Sequence, residues 1–339
     1  MKPLSQLSQG PLRTLVLSLL LMVAALLTTA QAQEVTLRYA HPNGPETIPG
    51  RFATTFADLV SEKTEGRVQV NVFPASQLGG VREMIEGTSL GTISMGHNDY
   101  AAVAQLMEDL AVFNVPYLYR DIEHAMTAGT PEDSEVVREL NDRLVQEANV
   151  RLIGNFYYGY RHLTANAAIY TPDDLRGREI RAIPLPVWIA AIEGMGAIPT
   201  PVDFAELPTA LATGIVDGQE NPLTTIHGHG FYEMQDYLML TGHMIAALAV
   251  YINEREWARI SPEDQEAVIE AVQEASALTV EWGLEEEDEL LEQLEAAGMT
   301  IIGPDEGLDL EAFQARVRDH VLNEFPEWAD YIERIEAVE

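Results

Sequence analysis

VTLRYAHPNGPETIPGRFATTFADLVSEKTEGRVQVNVF, residues 35–73, carries the pattern on which the fold turns. Val35-Thr36-Leu37-Arg38-Tyr39-Ala40 alternates with the period of two expected of a strand. Phe52, Phe56, Leu59 and Val60 then recur at spacings of three and four, the mark of a helix with one apolar face, and Val68, Val70 and Val72 alternate again. This β-α-β opening builds an open sheet with helices on both faces. Further β/α units are legible at Ile93–Gly96, Val150–Phe156, Glu179–Ile183 and Met244–Ile252, so the chain is α/β. Ser261-Pro262-Glu263-Asp264 starts a helix, with Ser261 as N-cap and proline in the first turn. Its apolar positions run on through Val268, Val272, Leu278, Leu284 and Leu291 to Leu294, which at 1.5 Å per residue is roughly 50 Å. Such a length is best used by lying across two domains; Gly283 is the point at which it could break.

The ends and the composition set the class. Residues 1–32 read as a secretory signal: Lys2 and Arg13 precede an apolar run from Leu15 to Leu27, and Ala30-Gln31-Ala32 is a small-residue site with cleavage after Ala32. That run is shorter than the roughly 20 residues a membrane span needs, so a soluble, periplasmic chain is expected. Cysteine is absent, which excludes disulfides, thiolate metal sites, a cysteine nucleophile and a lipid anchor on an N-terminal cysteine. The formal charge of −34 rules out nucleic acid as a partner. Lys2 and Lys63 are the only lysines, and this acid-rich, lysine-poor surface suits high salt, where self-repulsion is screened.

Between Gly159 and Pro222 the chain places Gly159-Tyr160-Arg161-His162-Leu163-Thr164, then Ile180-Arg181-Ala182-Ile183-Pro184, then Asp217-Gly218-Gln219-Glu220-Asn221-Pro222. Two arginines and an amide form a carboxylate clamp, since the planar guanidinium grips a carboxylate through two parallel hydrogen bonds and an asparagine adds a neutral donor. A surface arginine loosely paired with an acid is the commoner fate, worth only about 0–1 kcal/mol. Arg181 departs from it by lying in an apolar strand that ends at a proline.

These motifs resemble the solute-binding proteins of TRAP transporters, the DctP-like family of bacterial periplasmic receptors, in kind and in order. Phe73-Pro74-Ala75-Ser76-Gln77-Leu78-Gly79-Gly80 looks like that family's loop after the second strand. Val115-Pro116-Tyr117-Leu118-Tyr119-Arg120-Asp121 is similar to its proline-aromatic segment, and Thr171-Pro172-Asp173-Asp174-Leu175-Arg176-Gly177 precedes the Arg181 strand. Gly214-Ile215-Val216-Asp217-Gly218-Gln219-Glu220-Asn221-Pro222 is the most distinctive piece. The resemblance implies a two-domain periplasmic binding protein fold of open mixed sheets with a long helix spanning both domains. Domain I would take 34–158 plus 247–286 and domain II 159–246 plus 287–339, with the ligand cleft between them. It further implies Arg181 as the main carboxylate partner, Arg161 as a second cationic contact, Asn221 as amide donor and Phe204 as an aromatic wall. His41, Asn98 and Asp99 fall at ligand-facing strand ends, as the rule for open α/β sheets requires. Pro208 stands where the family usually has tyrosine, a contact Trp188 could supply.

The resulting expectation is a non-enzymatic receptor that captures a sugar acid, hydroxy acid or dicarboxylate and delivers it as a monomer to the membrane subunits of a TRAP permease, without a cofactor or metal. His227-Gly228-His229 offers two metal ligands with no evident third. Two rivals stay open. One is the same receptor holding an amine or zwitterionic compatible solute, with Asp99 as counter-charge and Tyr157, Tyr158, Tyr160 and Trp188 as a cation-binding face. The other is an exported enzyme, for which no zinc, nucleophile-elbow or phosphate-loop motif is present.

Overall fold

The computed structural model describes residues 35–339, so the leader and its cleavage site lie outside the described residues. The opening forms as its pattern requires. β1 (Val35–Ala40) pairs in parallel with β2 (Val68–Phe73), Val35 opposite Val68, and α1 (Ile48–Lys63) crosses between them. Thr47 caps α1 by accepting a hydrogen bond from the Gly50 amide. Phe52 and Phe56 face inward, and Phe52 stacks on Phe156 at 3.9 Å. α2 (Val81–Leu90) then leads to β3 (Met95–Asp99), parallel to β1.

One nine-stranded mixed sheet runs through the whole molecule, in the order β2-β1-β3-β8-β4-β7-β5-β6, with β9 added beside β8. Two long strands, β4 (Val150–Ala165) and β8 (Tyr237–Asn253), pair antiparallel along their length and belong to both halves. The far half of β8 pairs with β3, and its near half with β9 (Thr300–Ile302). The far half of β4 pairs with β7 (Gly218–Pro222), which adjoins β5 (Glu179–Ala182) and β6 (Ile198–Pro201). Sequence patterning shows β4 only as Val150–Phe156 because the strand carries bulges, two of them at Gly154 and Gly159. Their φ of +148° and +134° resets the alternation of faces.

Helices cover the sheet. α3 (Ile122–Ala128) and α4 (Glu135–Ala148) pack on the first half, α4 fixing the backbone of Leu152 through both ends of the Asn141 amide. In the second half α5 (Pro186–Met195), α6 (Leu207–Thr213) and α7 (Leu223–Gly228) follow their strands. α8 (Pro262–Ala296) is the long helix, 35 residues capped by Ser261, and it spans about 52 Å without interruption. Gly283 does not break it. A Cβ there would meet the Tyr157 ring at 2.5 Å, so the glycine lets the helix lie against β4. Lys63 of α1 bridges to Glu274 at 2.9 Å, and Arg51 pairs with Glu286 at 2.5 Å while its guanidinium covers Trp282. The acidic run at 285–289 is therefore partly engaged rather than wholly solvated. α9 (Leu310–Glu324) packs on α5. α10 (Ala329–Glu336) returns to the first half, where Arg334 meets Glu139 and Arg120 donates to the carbonyls of Glu336 and Val338. Among the described residues no helix is long and apolar enough to cross a membrane.

Gly283→Ala sets two effects against each other. Alanine favours the helix by about 1 kcal/mol, whereas forcing a methyl into the Tyr157 contact costs about 1–3 kcal/mol. The expected outcome is a melting temperature lowered by roughly 2–4 °C, checked by calorimetry; a rise would mean that the Tyr157 ring turns aside freely.

Candidate functional site

The strand ends of the first half supply one side. His41 follows β1 and Asn98 and Asp99 end β3, at the carboxyl ends of parallel neighbours. His41 is fully buried, stacked on His97 at 4.7 Å, and neither of its ring nitrogens has a partner. His97, by contrast, is satisfied by Tyr39 Oη at 2.8 Å and Asn43 Oδ1 at 3.1 Å. From Asn43 the chain of contacts continues to Tyr158 of β4 and on to Thr225 of α7, with Tyr158 Oη and Thr225 Oγ1 2.5 Å apart. It stitches the first half to the second through neutral groups.

The second half supplies the charges. Arg161 lies opposite Pro222 in the β4–β7 register, which puts Glu220 two positions along on the same face. The two form a forked, fully buried ion pair, Nε to Oε2 at 2.5 Å and Nη2 to Oε1 at 2.9 Å. Arg161 Nη2 also donates to Asn221 Oδ1 at 3.1 Å, and His243 Nε2 stands 3.1 Å from Glu220 Oε2. The Trp188 ring lies under the Arg161 guanidinium at 4.6 Å. Arg181, on β5, is equally buried at 2% exposed, yet its one hydrogen bond runs from Nε to the Val202 carbonyl at 2.9 Å. No acid among the described residues pairs with it, and its two terminal nitrogens are uncommitted.

Burial governs the protonation of these groups. It lowers Arg181 to about 10, against the pull of Glu220. Burial would raise Glu220, but Arg161 and the His243 hydrogen bond bring it down to about 2, so the acid stays ionised. Asp99 is raised by burial, with Arg161 and Arg181 lowering it and Glu220 adding to the rise, which puts it in the field of all three. His41 is lowered to about 4 by burial, and His162 to about 3 by burial and by His243. His97 and His243 are lowered too, burial being the main cause.

The structure thus brings Arg161, Arg181, Trp188, Asp99 and Glu220 into one buried electrostatic group. Among the described residues nine buried side-chain polar atoms lack a partner, and five of them belong to His41, Asn98, Asp99 and Trp188. Buried polar atoms are normally satisfied, so this concentration marks the site. Three of the expected site residues are engaged within the chain. Asn221 is occupied, its Oδ1 by Arg161 and its Nδ2 by Gln219 Oε1. Arg161 gives its fork to Glu220, leaving only Nη1 uncommitted. Phe204 lies edge-on to His229 at 4.9 Å and near Phe231, because an aromatic cluster lies ready beside its turn. His227 stacks on Tyr232 and His229 on Phe231, an aromatic role for the pair. Sequence reasoning passed over Glu220 and His243; the register of β4 against β7 is the signal that would have paired Arg161 with Glu220. Two cavities, of about 660 and 540 Å³, lie elsewhere, one between α3 and α8 and one beside Arg120 and Arg318. Neither holds the buried charges. We place the site on the charges because unpaired buried groups cost free energy that an open groove does not.

Residues 39–326 match the model of the DctP family, described as bacterial extracellular solute-binding protein, family 7. The chain is 31% identical over 336 residues to the 2,3-diketo-L-gulonate-binding periplasmic protein of Escherichia coli K12, covering 97% of this chain and 99% of that one. It superposes with a TM-score of 0.80 on a TRAP periplasmic solute-binding protein from Roseobacter denitrificans with bound L-galactonate, at 33% identity over 89% of this chain and 99% of that one. The corresponding protein from Polaromonas sp. JS666, bound to D-erythronate, gives a TM-score of 0.81 at 30% identity, with 90% and 99% covered.

The buried imidazoles make stability depend on pH. A histidine whose folded pKa is below its unfolded value near 6.5 binds fewer protons when native, so stability is complete above pH 6.5 and is lost as pH falls toward the folded value. For His41, lowered to about 4, the full loss is about 3 kcal/mol. Asp99 works in the opposite direction, but four buried histidines outweigh one acid, and Glu220 stays charged throughout this window. At molar salt, where surface repulsion is screened, the melting temperature is expected to fall steadily from pH 7 to 4.5. A flat profile would mean that these rings are charged in the fold.

Proposed function

Because the chain belongs to the DctP family, the extracellular solute-binding proteins of TRAP transporters, we propose that it captures a small organic acid by laying the solute's carboxylate against Arg181. The observation that carries this reading is the contrast between the two buried arginines: Arg161 is neutralised by Glu220, whereas Arg181 donates only to a carbonyl and forms no ion pair among the described residues. A buried unpaired charge is costly, and a carboxylate removes that cost while accepting two parallel hydrogen bonds. The Val202 carbonyl fixes the fork through Nε, so both terminal nitrogens are free for the solute. Relatives bind L-galactonate, D-erythronate and 2,3-diketo-L-gulonate by their descriptions, all carboxylates.

With Arg181 only 2% exposed, a solute reaches it when the halves part. We place the hinge where β4 and β8 leave one half and enter the other, next to the Gly159 bulge, with domain I at 34–158 plus 247–286 and domain II at 159–246 plus 287–339. α10 is the exception to these bounds: its residues fall within 287–339, but it packs on the first half and moves with it. The solute stabilises the closed form because it touches His41, Asn98 and Asp99 on one side and Arg181 and Trp188 on the other. One charge-assisted hydrogen bond contributes about 1.5–3 kcal/mol, while micromolar affinity needs about 8 kcal/mol, so both sides are required. Export after Ala32 would release a periplasmic monomer that passes its solute to membrane permease subunits and performs no chemistry on it. Asp99 favours a second reading, an amine or zwitterion as the solute, which spares affinity when Arg181 is removed.

Arg181→Ala should weaken an acid ligand at least a hundredfold, and Arg181→Lys, which keeps the charge without the fork, should fall between. Calorimetric titration decides; unchanged affinity in the alanine variant favours the amine. Raising salt from 0.1 to 1 M shortens the screening length from about 10 to about 3 Å, so repulsion from the distant acids fades before the contact with Arg181. Affinity for the acid is expected to hold or rise across that range, and a steep fall would count against the buried contact.

A further inference from the structure

Resting on the receptor reading above, we propose that this site selects polyhydroxylated monocarboxylates over dicarboxylates, with Asp99 as the residue that discriminates. The charge count comes first. Two guanidiniums and two carboxylates share the buried group: Arg161 and Arg181, Glu220 and Asp99. Glu220 takes the fork of Arg161 at 2.5 and 2.9 Å and is itself held by His243, so that pair offers a solute almost no net charge. Asp203 also bears on Arg181, but it is exposed and solvent screens it. That leaves one free fork, on Arg181, beside one carboxylate, Asp99, that makes no ion pair with it. A second carboxylate would find no free fork and would enter the field of Asp99.

The unpartnered atoms state what the rest of the solute must offer. Asp99 Oδ1 is buried and accepts only, when ionised; Asn98 Nδ2 and Trp188 Nε1 donate only; neutral His41 presents one donor and one acceptor. A hydroxyl both donates and accepts, so neighbouring hydroxyls can satisfy the acceptor of Asp99 and the donor of Asn98 together. A dicarboxylate offers only acceptors and leaves Asp99 unsatisfied. An ammonium offers only donors and leaves Asn98 and Trp188 unsatisfied. An alkyl chain satisfies none. Sites built around polar partners reject analogues that lack them far more strongly than apolar pockets do.

The test is calorimetric titration of the exported chain, its Asp99→Asn and its Arg181→Ala variants with D-gluconate, D-galactonate, L-galactonate, succinate, hexanoate and γ-aminobutyrate. The expected result is at least one hexonate bound about a hundredfold more tightly than succinate and hexanoate, with Arg181→Ala losing it. Asp99→Asn, which replaces an acceptor by an amide that can donate, should narrow the hexonate-to-succinate gap at least tenfold. A gap below tenfold in the unaltered protein, or γ-aminobutyrate binding more tightly than every hexonate, overturns the inference. If Arg181→Ala still abolishes binding of succinate in that case, the receptor reading survives alone. If no acid binds, both fail. Thermal melts establish that Asp99→Asn folds, and were it not to fold, the panel on the unaltered protein decides by itself.

Discussion

Burying a guanidinium is unfavourable by several kcal/mol unless a carboxylate is buried with it, and this protein buries two while pairing one. That imbalance organises the site. Arg161 and Glu220 compensate each other across the β4–β7 ladder, with Trp188 covering one face and His243 on the same Glu220 Oε2 that accepts from Arg161 Nε. The pair is a rigid floor whose charges cancel. Arg181 stands beside it with its Nε tethered and its terminal nitrogens without a partner among the described residues.

The scaffold makes such an arrangement tolerable. Because β4 and β8 thread both halves, the charged floor and the wall of His41, Asn98 and Asp99 hang on the same pair of strands. Their separation is set by two continuous backbones and by α8 lying along β4. The contacts from Tyr39 through His97, Asn43 and Tyr158 to Thr225 cross the same boundary with uncharged groups. A boundary held by neutral hydrogen bonds can open and reclose without stranding a charge, which suits a receptor that must release what it holds.

How much of this was legible in the sequence depends on range. Local periodicity located β1, α1, β2 and the cap and course of α8, since each rests on spacing within one segment. Arg181 stood out because a charged residue in a short apolar strand is a local anomaly too. What escaped were facts of register. β4 looked like a short strand because bulge glycines reset its phase, and Glu220 was one acid among 54 until the ladder set it diagonal to Arg161. Gly283 read as a weak point in a helix, whereas its meaning lies in a tyrosine far away in sequence. Phe204 was placed by analogy with a family position, and its edge-on contact with His229 is a tertiary fact that no local spacing carries.

The position of α10 has a consequence for biogenesis. His124, Arg120 and Glu139, all made early, find their partners in Ile335, Glu336, Val338 and Arg334 at the extreme C-terminus. The first half is thus completed by residues some two hundred positions further along the chain, and contacts of such long separation form slowly. A half that waits for so distant a segment finishes folding later than a unit closed by local contacts.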